Sequence, residues 1–273
     1  MTLDMINRRG IALLGCGKMG SAMLEGWIGR GLALNSAWIV DPHPSDWVKS
    51  LARKGINLNA GMPPAPAVVL IAVKPQMMAE ALPQIQAFGG GDTLILTVAA
   101  GTTIATYEAV FGAGTRIVRA MPNTPAAVGR GITAIIGNDA ASEADLAMAE
   151  NLLTAVGQVV RLEGEHQMDA VTAVSGSGPA YVFHLIEALA AAGVAEGLPP
   201  DMAMRLARAT VTGAGELAYR APESAEQLRI NVTSPGGTTA AALGVLMDPL
   251  TGFGPLLRRA VKAAADRGRE LGK

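Results

Sequence analysis

Three observations predict an α/β protein with a second, all-helical part. Short apolar runs alternate with helix-patterned stretches as far as QVVRL (158–162), a glycine-rich turn follows the first run, and no strand pattern appears beyond residue 165. Alternation of this kind describes a doubly wound, mostly parallel sheet covered by helices on both faces.

The strands are read at GIALL (10–14), AWIV (37–40), AVVLIAV (67–73), TLILTV (93–98), TRIVRA (115–120), ITAII (132–136) and QVVRL (158–162). Each is too short for a helix of ordinary length. Between them lie stretches with helical spacing, such as SAMLEGWIGRG (21–31). Ser142 followed three residues later by Asp145 is a capping box that opens the helix before the last strand.

The second part reads as PAYVFHLIEALAAAGVAEG (179–197), DMAMRLARATVTGAGELAYR (201–220), a helix starting within VTSPGGTT (232–239), and a fourth over roughly 254–271. The boundary falls at GEHQ (164–167), dividing 1–164 from 165–273. Two of these helices carry Ala, Gly and Leu on nearly every face, and a helix apolar all round must be buried. So small a domain cannot cover several such helices by itself, which predicts burial against a second copy of the chain. His184, among Phe183, Leu185 and Ile186, is expected as an interior histidine.

Composition narrows the function. Half of the 273 residues are hydrophobic, 16% are charged and the formal net charge is −1, so a large core is available and nucleic acid is a poor partner. Mean hydropathy is +0.31. Yet AVVLIAV is too short to span a bilayer, and MTLDMINRRG lacks the apolar region of a signal peptide. No membrane segment is expected. Cys16 is the single cysteine, so neither an internal disulfide nor a cysteine metal site is expected, and the setting expected is cytoplasmic.

The turn GCGKMG (15–20) fits G-x-G-x-x-G in the required place, after a strand and opening a helix. Gly15 would allow the tight turn, Gly17 the approach of a pyrophosphate and Gly20 close helix–strand packing, as in a Rossmann-like dinucleotide site. Asp41 ends the second strand, where an acid bonds the ribose 2′-hydroxyl of NADH and repels the 2′-phosphate of NADPH.

Reduction of a ketone needs His, Lys or Tyr to move the hydroxyl proton. Between Lys74 and Lys262 there is no lysine, and the histidines are His43, His166 and His184. An imine is protonated in water before it binds, so it suits such a site better. The protein then has mainly to orient it, an effect worth roughly 7–11 kcal/mol.

GCGKMGSAM (15–23), AVKP (72–75), RAMPNTPA (119–126), DAVTAVSGSGPAYVF (169–183) and VTSPGGTTAAAL (232–243) occur in the order and near the spacing of pyrroline-5-carboxylate reductases. The sequence resembles that family over essentially its whole length; SGSGPAY followed by SPGGTT is the specific part. The resemblance implies reduction of 1-pyrroline-5-carboxylate to L-proline by NADPH or NADH. It also implies an N-terminal Rossmann-like domain and helical domains that interlock into a homodimer, with a ring of dimers, decamer-like, beyond it.

The same resemblance implies site residues. Gly15, Cys16, Gly17, Lys18, Met19 and Gly20 serve the cofactor pyrophosphate, and Asn59 lies near its adenosine end. Ala72, Val73, Lys74 and Pro75 end a strand beneath it, and Met121, Pro122 and Asn123 approach the nicotinamide. Asn231 falls near the nicotinamide ribose. Ser234, Gly236, Gly237, Thr238 and Thr239 form the substrate-carboxylate loop, with Thr239 the catalytic residue beside the ring nitrogen. Glu165 corresponds to a substrate-contacting acid in some members, and a helix N-terminal partner is the plainer role for it. No metal is expected.

Some positions depart from the family. ESAEQLR (223–229) replaces the usual His-Pro segment, and Met247 stands where an acid is common. Asp41 puts the family's NADPH preference in question. The alternatives are a related imine reductase, a 3-hydroxyacid dehydrogenase-like oxidoreductase, whose second-domain lysine is missing here, and a non-catalytic dinucleotide sensor.

Overall fold

The computed structural model describes residues 2–272. One sheet contains β1 (Ile11–Leu14), β2 (Ala37–Val40), β3 (Asn57–Leu58), β4 (Val68–Ile71), β5 (Leu94–Thr97), β6 (Ile117–Met121), β7 (Gly131–Gly137) and β8 (Gly157–Arg161). Their spatial order is β3-β2-β1-β4-β5-β6-β7-β8. All pairings are parallel except β6 with β7. Between those two only a short turn, Thr124–Val128, intervenes, which is too little chain for a parallel crossover.

The helices are α1 (Thr2–Arg9), α2 (Lys18–Gly29), α3 (Asp46–Ala52), α4 (Met78–Ala81), α5 (Ile104–Phe111) and α6 (Glu143–Leu153). Beyond the sheet come α7 (Met168–Val171), α8 (Gly178–Ala195), α9 (Pro200–Arg220), α10 (Ala225–Asn231), α11 (Thr238–Leu246) and α12 (Phe253–Leu271). The expected capping box is formed: Ser142 Oγ accepts the N–H of Asp145, whose carboxylate accepts the N–H of Ser142.

Period-two alternation places the sheet's side chains on two faces. Ile11, Leu13, Val68 and Leu70 pack with Met23, Leu24 and Trp27 on one. Ala12, Leu14, Val69 and Ile71 pack with Ile85, Tyr107 and Phe111 on the other. Both faces are covered by helices, as expected of a doubly wound sheet. The elements α1 and β3 were not legible, the first for its charged ends and the second for its two residues.

By contacts the chain forms two compact units: everything up to Gly176 together with the chain from Ala265 on, and Ser177–Ala264. In the second unit α8 and α9 lie close, since a Cβ on Gly193 would reach Ala203 Cβ at 3.3 Å. Its buried apolar residues are Ala190, Ala203 and Ala207, whereas Val182, Phe183, Leu185, Leu189, Leu206 and Leu217 are exposed in the single chain. Within one copy these helices are not buried, which leaves their cover to the second copy that the sequence predicts. His184 is a correction: it is exposed, its Nδ1 3.1 Å from Glu187, because the face around it is uncovered in the chain.

The helical stretch Glu165–Ala195 is long and apolar enough to cross a membrane by length and composition. Its hydropathy is carried by alanines together with valines, leucines and an isoleucine spread among polar residues, rather than by one unbroken run of large apolar side chains.

Candidate active site

The glycine turn lies at the carboxyl end of β1, where doubly wound sheets bind ligands. Gly15 has φ +82°, and a Cβ there would stand 2.9 Å from the carbonyl oxygen of Ala72. A Cβ on Gly20 would stand 2.6 Å from the carbonyl oxygen of Gly15. Gly17, the residue capping α2, meets nothing within 4 Å. Two glycines thus serve packing and the middle one leaves open backbone for a ligand, which fits a dinucleotide pyrophosphate.

Asp41 has a role that spacing did not disclose. Its Oδ2 accepts the N–H of Cys16 at 2.7 Å and its Oδ1 accepts that of His43 at 2.8 Å. The carboxylate therefore ties the glycine turn to the chain after β2. Asn59, at φ 51°, continues the tie: its Oδ1 accepts the Asp41 N–H and its Nδ2 donates to the Asp41 carbonyl. With the N–H groups of Gly15 and Cys16 engaged by Val40 and Asp41, the first-turn N–H groups of α2, on Lys18 and Met19, lack partners within their helix. These are the donors left for an anion. Burial pushes the Cys16 thiol pKa up, so it stays protonated at neutral pH.

Ala72 leaves β4 with its N–H bonded to the Leu14 carbonyl, followed by partly buried Val73 and exposed Lys74 and Pro75. At the end of β6, Pro122 is buried, while Met121 and Asn123 are partly so. Asn123 donates to the Ser175 carbonyl at 3.2 Å and accepts the Ile132 N–H at 3.0 Å. Gly176 completes this joint, because a Cβ there would fall 2.6 Å from Met121 Cε. The Met121–Asn123 and Ser175–Gly176 segments, far apart in sequence, are thereby locked together.

Glu165 Oε1 accepts from Arg119 Nη1 and from the N–H of Ile104. Arg119 did not enter the sequence reading, although an arginine inside the apolar strand IVRAM demands a carboxylate partner.

In the other unit, Gly236 has φ +71°, and Gly237 caps α11. The Gly237 N–H is taken by the Ser234 carbonyl at 3.0 Å. As at α2, the first-turn donors are those just beyond, on Thr238 and Thr239. Ser234 and Thr238 are exposed and Thr239 is partly buried. Asn231 Oδ1 accepts from Gln227 Nε2 at 2.7 Å. Among the described residues no group of His, Cys, Asp and Glu could hold a metal.

A doubly wound sheet with an open glycine turn at its central strand, followed by a helical unit, defines a dinucleotide-dependent oxidoreductase of two-domain plan. Comparison with known proteins carries this further. The family described as pyrroline-5-carboxylate reductase dimerisation matches residues 165–271, and the one described as NADP oxidoreductase, coenzyme F420-dependent, matches 10–101. A pyrroline-5-carboxylate reductase of a Synechocystis species is 46% identical over 76% of this chain and 75% of its own. The structure of a pyrroline-5-carboxylate reductase from Coxiella burnetii is 33% identical, with a TM-score of 0.87, and the match covers 97% of this chain and 99% of that one. That of the Plasmodium falciparum pyrroline carboxylate reductase with NADP bound is 27% identical, with a TM-score of 0.80, over 98% and 99%. The chain belongs to the pyrroline-5-carboxylate reductase family.

Proposed function

We propose that the chain reduces 1-pyrroline-5-carboxylate to L-proline with NADPH or NADH, the last step of proline biosynthesis. The observation that carries this is the pairing of an open dinucleotide turn with a helical part that matches the reductase family over 165–271. The nicotinamide cofactor supplies the hydride when bound. Gly17, Lys18 and Met19 hold its pyrophosphate at the start of α2, with Gly15, Cys16 and Gly20 shaping the turn. Asp41 and Asn59 set the adenosine side. Ala72–Pro75 and Met121–Asn123 frame the nicotinamide side, and Asn231 meets its ribose.

The substrate is a small imino acid. Its carboxylate sits at the first turn of α11, where the Thr238 and Thr239 N–H groups and the Ser234 hydroxyl are donors. Gly236 and Gly237 shape that loop. Thr239 Oγ1 bonds the ring nitrogen as it becomes an amine. No strong acid is required, because the iminium is already protonated.

The helical part, residues 165–273, is the substrate-binding and dimerisation domain, and residues 1–164 are the cofactor domain. The chain is a homo-oligomer built on a dimer, which covers the apolar surface of α8 and α9, and dimers assemble further into a ring. We place it in the cytoplasm, off the membrane. Oxidation of NADPH or NADH on adding pyrroline-5-carboxylate tests the reading; absence of turnover with both, where a known reductase works, removes it.

A further inference from the structure

Arg119 occupies a middle position of β6 with its side chain only 8% exposed. Its guanidinium meets Glu165 Oε1, and the same oxygen accepts the Ile104 N–H at 2.8 Å. One carboxylate oxygen thus joins β6, the N-terminus of α5 and the turn that leads into α7. Both charged groups also line a cavity of about 370 Å³ with Thr103, His166 and Asp169.

This joint has a counterpart. Two residues beyond Arg119, β6 runs out into Met121–Pro122–Asn123, and Asn123 grips the Ser175 carbonyl. The stretch 165–176 is therefore held at its beginning to β6, by Glu165 with Arg119, and at its end to the segment just beyond β6, by Asn123. A shift of β6 at Arg119 carries directly into the segment assigned to the nicotinamide.

We propose that Glu165, acting through Arg119, is a positioning residue for the reduction rather than a substrate contact. It sets where Met121–Asn123 stands, and it rests on the functional reading above. Reactions that depend on orientation lose rate steeply when the frame moves, by as much as 100-fold for a displacement of about 1 Å.

Steady-state kinetics with pyrroline-5-carboxylate and NADPH, together with NADPH binding by fluorescence titration, test this in Glu165→Gln, Arg119→Met and the double variant. Each single change is expected to lower kcat about tenfold, with the KM for the imine and the Kd for NADPH within about twofold of wild type. The double variant should be no slower than the slower single one, since the two residues act as one unit. Arg119→Lys should recover part of the rate, and it replaces Arg119→Met if that protein does not fold. A rise in KM at unchanged kcat confined to Glu165→Gln would make the acid a substrate contact and overturn the proposal. So would multiplicative losses in the double variant, or wild-type kcat in both singles. A wild-type enzyme that fails to turn over removes the functional reading instead.

Discussion

The sheet unit and the helical unit solve the burial problem in opposite ways. In the first, Leu13, Leu70, Trp27, Tyr107 and their neighbours are enclosed by the unit's own helices. In the second, the apolar residues buried are three alanines, while Phe183, Leu185 and Leu189 face outward. A core of alanines brings helices close but removes little apolar area from water. The difference teaches that the sheet unit is complete as one chain and the helical unit is half of something.

The strongest way to break that comparison is to charge the outward face. Leu189→Glu would bury two carboxylates in a dimer, one from each copy, at a cost of at least about 3 kcal/mol. The expected result is loss of the oligomer and of the helical unit's share of the thermal transition, with the sheet unit's own transition retained, read by light scattering and circular dichroism. A Leu189→Glu protein of unchanged mass and stability would show that this face is not covered by a second copy.

The glycine turns at the starts of α2 and α11 sharpen the comparison, since each unit has one. Gly20→Ala puts a Cβ against the Gly15 carbonyl and should destabilise the fold by about 1–3 kcal/mol. Gly17→Ala meets nothing in the protein, so its Tm should stay within a degree or two while NADPH affinity falls about tenfold or more. Equal effects of the two on stability would contradict the division between packing and ligand approach. In the helical unit, Thr239→Ala should cost turnover the equivalent of about 1–3 kcal/mol and leave NADPH affinity unchanged.

The smallest expected effect concerns Asp41. Asp41→Ser should raise the ratio of kcat/KM for NADPH over NADH severalfold by removing a negative charge. Because the carboxylate also fastens Cys16 and His43, affinity for both cofactors should drop modestly. A change in ratio with no common loss would mean that the tie to the glycine turn is dispensable.

What the residues disclosed follows the same division. The strands of the sheet were legible because parallel strands buried on both faces are continuous apolar runs, as in AVVLIAV. The reversal at β7 was not, although the short span from Met121 to Gly131 leaves no room for a crossover. His184 looked interior because its neighbours are apolar, but apolar neighbours on a helix whose cover lies outside the chain do not bury it. The glycine turn was legible from its spacing. The ties made by Asp41, Asn123 and Glu165 were not, because each joins segments far apart in sequence and spacing says nothing of their meeting.

The central claim, a self-sufficient sheet unit joined to a helical unit that is finished only by a second copy, is tested most directly by the solution mass of the full-length chain. Size-exclusion chromatography with light scattering at micromolar concentration should give a dimer or a whole number of dimers. A well-folded monomer under those conditions would contradict it.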